Sequence, residues 1–179
     1  MPPTLTTPRI LLRPFSMDDV DEAYEVLEGH PDVWGIDPGY QRTREQRARR
    51  IQLYTLTNDE GGLGNLACIH RESGKLMGYA GLQYYLLPGH PYNTPEVELF
   101  YKLGRDWWGQ GYATEACTVM IDFAFNTLHL GRITNTVMAE NSQSISLMQR
   151  LGFDIQPAPP TWEGWLLGVL DNPGQASKG

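Results

Sequence analysis

The segment best suited to chemistry is RDWWGQGYATEA at residues 105–116. Gly109 and Gly111 follow a run that reads as a strand ending at Gly104, and a run that reads as a helix starts at once after them. Glycine lets a backbone approach a ligand without Cβ interference, and the first-turn N–H groups of a helix have no partner within it. With the positive end of the helix dipole, such a turn suits an anion such as a pyrophosphate. Taken alone, the same glycines could equally make a tight connection. A P-loop is excluded, because no Gly-Lys-Ser/Thr tripeptide occurs. The dinucleotide fingerprint also fails: Thr114 stands where its third glycine belongs, and three strands precede the turn.

A second segment, ENSQSISLMQRLGF at 140–153, follows the next strand and opens a helix capped by Asn141 or Ser142. Three features stand in order: TPRILLRPFSMDD near the start, WWGQGYATEA, and N-x-x-S followed by RLGF. On them the chain resembles the GCN5-related N-acetyltransferases (GNAT) over residues 8–170. The similarity is to the branch that holds ribosomal-protein N-terminal acetyltransferases and many small-amine acetyltransferases.

The resemblance implies transfer of an acetyl group from acetyl-CoA to an amine, by direct attack in a ternary complex without an acyl-enzyme. It implies that Trp107, Trp108, Gly109, Gln110, Gly111, Tyr112, Ala113 and Thr114 bind the pyrophosphate region. Strands at 96–103 and 132–139 splay apart around the pantetheine arm. Phe100 lies beside that arm, Asn141 hydrogen-bonds it, and Ser144 lies near the sulfur. The reaction needs a base, an oxyanion donor and a donor to the departing thiolate. The family's strand glutamate aligns with Glu98, which shares a strand face with Glu96; a structurally paired carboxylate is the other reading of Glu98. Backbone N–H groups near Phe100 are the oxyanion candidates, and Ser144 is the candidate thiolate donor, or simply a helix cap.

This sequence departs from the family at three places. Met148 stands about where many relatives have a tyrosine acid, Phe100 replaces a frequent glycine, and Asp106 replaces an Arg or Gln. The ring at Phe100 could narrow the acyl pocket or rearrange the strand. The acceptor groove is expected from the loops at 29–42, 87–96 and 156–162, with Trp34, Tyr40, Tyr92 and Glu96 as acceptor-binding candidates. Aromatics with carboxylates suit an amine, whether on a protein N-terminus or a small molecule. A catalytically silent acyl-CoA-binding module is the alternative, and a nucleotide-binding regulator a more distant one.

These residues need elements to position them. PRILLRP at 8–14 reads as a strand, and Ser16 with Asp19 as a helix start followed by Val20, Ala23, Val26 and Leu27 at helical spacing. Thr43 with Gln46 opens a second helix. Residues 65–71 and 75–86 flank the turn ESGK as a hairpin. EVELFYKL at 96–103 alternates as a third long strand. A helix at about 111–126, a strand at 132–139, a helix at 142–151 and strands at 152–156 and 162–170 complete the chain. The fold class is α/β (α+β), with a mixed, mostly antiparallel sheet of six to seven strands, splayed at its centre, and helices on both faces. Residues 8–171 read as one domain, with loose ends at 1–7 and 172–179.

Bulk properties agree. Hydrophobic residues make 41% of the chain and charged residues 20%, as in soluble globular proteins. A net charge of −7 argues against a nucleic-acid partner. The arginines at 42, 44, 47, 49 and 50 read as a solvated helix face. Cys68 and Cys117 form no CxxC pair, the histidines have no ligand spacing, and no metal is expected. There is no apolar run long enough for a membrane span and no apolar secretory core in MPPTLTTPR, so cytoplasmic residence is expected. The resemblance leaves a homodimer open.

Overall fold

The computed structural model describes residues 3–35, 41–57, 63–87 and 94–174 of the chain. Its strands are β1 (Leu5–Thr6), β2 (Ile10–Pro14), β3 (Gly64–His70), β4 (Leu76–Leu87), β5 (Thr94–Leu103), β6 (Arg132–Met138), β7 (Asp154–Pro157) and β8 (Trp165–Asp171). Its helices are α1 (Val20–Glu28), α2 (Pro31–Trp34), α3 (Arg44–Thr57), α4 (Tyr112–Asp122) and α5 (Ser142–Arg150). The strands join one sheet in the order β1-β2-β3-β4-β5-β6-β8-β7. β5 and β6 run parallel, as the intervening helix requires, while β2–β3, β6–β8 and β7–β8 are antiparallel. The sheet has one strand more than expected, because Leu5 and Thr6 pair with Leu12 and Leu11. Among the described residues no helix is long and apolar enough to cross a membrane.

Two compact units make up the chain: residues 1–81 with 100–119, and residues 82–99 with 120–179. In the first, both capping patterns read from sequence form. Ser16 and Asp19 exchange capping bonds before α1, and Thr43 and Gln46 do so at the start of α3. Val20, Ala23 and Leu27 of α1 and Ile51 and Tyr54 of α3 pack with Phe15, Ala67, Ile69 and Tyr79 in one buried cluster. α2 falls within the stretch 29–42 expected to be loop. Pro31 takes its first position and the His30 ring accepts from the Asp32 N–H at 3.2 Å, so a single turn forms where Gly and Pro suggested none.

Two expectations are corrected in this unit. Arg47 does not belong to a solvated face: it is 2% exposed and ion-paired with buried Glu28. It falls on the same side of α3 as Ile51 and Tyr54, at i+4 and i+7, so helical geometry carries it inward. Arg44, by contrast, pairs with exposed Asp21. The N-terminal end is also tied down at residues 5–9. Thr7 Oγ1 donates to Glu115 at 2.6 Å, and the Arg9 N–H and Nε donate to the same carboxylate at 2.9 and 2.6 Å.

Asp19 and Glu115 make this unit acid-sensitive. Burial alone would raise both carboxyls, but Arg13 and Ser16 at Asp19, and Thr7 and Arg9 at Glu115, outweigh it and hold them below the usual range. A carboxyl lowered in the folded state contributes stability above its unfolded value that is lost as pH falls through the folded value. Thermal midpoints are therefore expected to be flat from neutrality to about pH 5 and to fall below about pH 4. Asp19→Asn should lower the midpoint at pH 7 and flatten the acid limb; an unchanged acid limb would refute this.

In the second unit β6 is paired along its length with β8, from Arg132↔Asp171 to Met138↔Trp165. α5 covers this ladder at Gly168, where a Cβ would lie 2.2 Å from Met148 Cε and would push that methyl aside. Asn172 closes the end of β8, its N–H donating to the Gly131 carbonyl and its Nδ2 to that of Leu130.

Candidate active site

The glycine turn lies in the first unit. A 3-10 turn at Arg105–Trp107 follows β5, and α4 begins at Tyr112. Gly109 and Gly111 have φ of +72° and +81°, a region L side chains enter at a cost, so both glycines are conformationally required. The first N–H with a helical acceptor is that of Glu115, bonded to the Gly111 carbonyl at 3.0 Å. Among the described residues, nothing accepts from the six N–H groups of Gly109 through Thr114. The first three precede and the last three open an eleven-residue helix, whose dipole adds to them.

Side chains brace this turn from three sides. Arg9 donates to the Gln110 carbonyl at 3.0 Å and lies 4.3 Å from the Tyr112 ring centroid. The Tyr112 hydroxyl bonds His70 Nε2 at 3.1 Å, and Trp107 packs on both rings at 5.1 and 5.7 Å. Trp108 Nε1 donates to the Leu103 carbonyl at 2.8 Å, and Gln110 Nε2 to that of Asp106 at 2.7 Å. The Trp107 and Trp108 N–H groups, expected to face the pyrophosphate, are instead spent on the Gly104 and Arg105 carbonyls at 3.0 and 3.2 Å. Arg9, His70 and Glu115 escaped the sequence reading as site residues, since two of them are distant in the chain. Phe100 stacks parallel on Tyr79, ring centroids 5.9 Å apart, and so turns into the helix-side core.

The other site residues lie in the second unit. Glu98 registers with Thr134 across the parallel β5–β6 pair. It is 4% exposed, and its Oε1 accepts from the Thr136 N–H at 3.0 Å and the Thr136 hydroxyl at 2.5 Å. Gln83 Nε2 donates to Oε2 at 3.1 Å. Glu96, equally buried, is gripped by the Arg132 guanidinium through both oxygens. The two carboxylates share a strand face, as alternation predicted, but serve different partners. An open groove of about 490 Å³ passes Glu96 and Arg132 between Tyr84, Pro95 and Leu130.

Near these carboxylates, Tyr85 was missed. Its hydroxyl is buried without a partner among the described residues, and burial, then Glu98 and Glu96, push it up to about 12. Its ring lies 5.3 Å from Trp162, which lies 6.5 Å from Trp165. Trp162 lies in loop 156–162, one of the loops expected to line the acceptor groove. The Asn141 side chain accepts from the Ser144 N–H at 3.1 Å, capping α5. Trp34 is half-buried in α2. Tyr40 and Tyr92 lie outside the described residues.

Among the described residues, a parallel β5–β6 pair in a mixed sheet and a glycine turn presenting free N–H groups at a helix start suit a transferase that binds an acyl-CoA. A family profile described as an acetyltransferase (GNAT) domain matches residues 9–154. The chain is 31% identical over 151 residues to the uncharacterized N-acetyltransferase p20 of Bacillus licheniformis, covering 84% of this chain and 82% of that protein. Over 56 residues, 31% of this chain and 29% of the other, it is 39% identical to the ribosomal protein uS5-alanine N-acetyltransferase of Escherichia coli. An acetyltransferase structure from Agrobacterium tumefaciens superposes with a TM-score of 0.76 at 27% identity, over 94% of each chain. The chain belongs to the GNAT acetyltransferase family, whose members use acetyl-CoA.

Proposed function

We propose that this chain transfers the acetyl group of acetyl-CoA directly to a primary amine, on a protein N-terminus or a small molecule. The observation that carries the reading is the row of six N–H groups from Gly109 to Thr114, with two glycines at positive φ. A pyrophosphate suits such a row, because each N–H is a donor without an acceptor among the described residues. Acetyl-CoA supplies an acyl carbon activated as a thioester. On the family resemblance, the β5–β6 pair is the proposed place of a pantetheine arm.

The amine must arrive neutral, and its proton must leave as the new C–N bond forms and the C–S bond breaks. Glu98 is the proposed proton acceptor, working through Oε2 or a water. Arg132 occupies Glu96, which leaves that residue as a neighbour of the acceptor and not its base. Ser144, at the first turn of α5, is the proposed donor to the thiolate, with Asn141 holding that turn. Cysteine acyl chemistry has no support: burial pushes the Cys68 thiol up to about 12, and burial and Cys68 push Cys117 well above its usual value. Tyr85, Trp162 and Trp165 form an aromatic wall suited to an amine-bearing acceptor.

Coenzyme A binding tests the cradle. Gly109→Val and Gly111→Val are each expected to cost about 1–2 kcal/mol in backbone strain and to abolish the thermal shift that coenzyme A gives the native protein. A Cβ at Gly109 would meet nothing within 4 Å, so the fold has room for it. Folded variants that bind coenzyme A normally would refute the cradle. A thiol-release assay with a panel of amines separates an enzyme from a silent binding module, which would show the thermal shift and no turnover.

A further inference from the structure

The β5–β6 pair is held from both faces by side chains that bond to backbone. On one face the Glu98 carboxylate of β5 accepts the Thr136 N–H of β6. From β6, Asn135 Nδ2 donates to the Leu99 carbonyl of β5 at 2.5 Å. Asn135 registers with Gly168, under Met148 of α5, whereas Thr136 alternates to the opposite face. Each strand thus lends a side chain to a backbone group of the other, in place of a continued ladder.

Asn135 keeps one atom unspent. The residue is 5% exposed, and its Oδ1 is buried without a hydrogen-bond partner among the described residues. A buried acceptor left unsatisfied is costly, and a donor delivered by a ligand would relieve it. We propose that Asn135 is a positioning residue for acetyl-CoA: Nδ2 sets the Leu99 carbonyl at the end of the pair, and Oδ1 accepts an amide N–H of the pantetheine arm. This rests on the acetyl-CoA reading above. The arm carries two secondary amides, so its chemistry matches a lone carbonyl-type acceptor.

Two probes separate this role from a purely structural one. Coenzyme A carries the arm; adenosine 3′,5′-bisphosphate carries only a nucleotide end. Calorimetric titration of Asn135→Leu is expected to show about tenfold weaker coenzyme A binding, with bisphosphate binding unchanged. Asn135→Ala is the second variant, should the larger side chain prevent folding. Unchanged coenzyme A affinity in the variants overturns the proposal, and so does an equal loss for both probes, which would mark a structural effect. If the native protein itself fails to bind coenzyme A, the acetyl-CoA reading falls and takes this proposal with it.

Discussion

Glu98→Ala is expected to lower kcat/KM by about 10²–10⁴-fold, the range for loss of a general base. The same change leaves the buried Thr136 N–H without its acceptor, at a cost of about 1–3 kcal/mol. The two roles can be separated. Oε1 spends both lone pairs on Thr136, while Oε2 takes one bond from Gln83 and keeps one for a proton. In Glu98→Gln, the amide oxygen can still face Thr136, and the new NH₂ can meet Gln83 once that amide turns over. The packing is then kept and the base is lost. Rates should fall at neutral pH and recover in part at high pH, where an acceptor amine deprotonates unaided. A pH–rate profile of thiol release in Glu98→Gln that matches the native enzyme, beside a slow Glu98→Ala, would leave Glu98 with the structural role alone.

The second large effect concerns stability. Glu28→Ala is expected to destabilise the fold by about 3–5 kcal/mol, because it strands the Arg47 guanidinium in the core. Arg47 and Glu28 are 2% and 1% exposed, and Glu28 also accepts the Arg42 N–H at 3.0 Å. Against a total stability of about 5–15 kcal/mol, this would bring the protein close to unfolding. Among the described residues Arg47 Nε has no partner, so the pair is imperfectly satisfied. The double change Glu28→Leu with Arg47→Met should therefore recover most of the loss, since two apolar side chains have no charge to desolvate. Urea midpoints of the single and double variants measure this; additive losses would refute it.

The capping boxes, the β3–β4 hairpin and the glycine turn were all legible, because each is set by residues within a few positions of one another. The aligned motifs carried the family and its acetyl-CoA chemistry. α2 was hidden because a Pro and a flanking Gly mark loops and short helices alike.

By itself the sequence determined which residues could share a face, where helices begin, and that Gly109 and Gly111 open a run of N–H groups, since backbone sterics and local hydrogen bonds decide these. It could not show what meets each face. Glu96 and Glu98 look equivalent in EVELF, yet one faces Arg132 and the other Thr136 and Gln83, partners 36, 38 and 15 residues away. Arg47 looked like its neighbours in an arginine run until α1 placed Glu28 against it. Asn135 gave no signal at all, because its meaning lies in the Leu99 carbonyl of another strand. Charge and hydrogen bonding act through space over a few ångströms, so tertiary packing alone decided which of these groups are paired and which buried atom still lacks a partner.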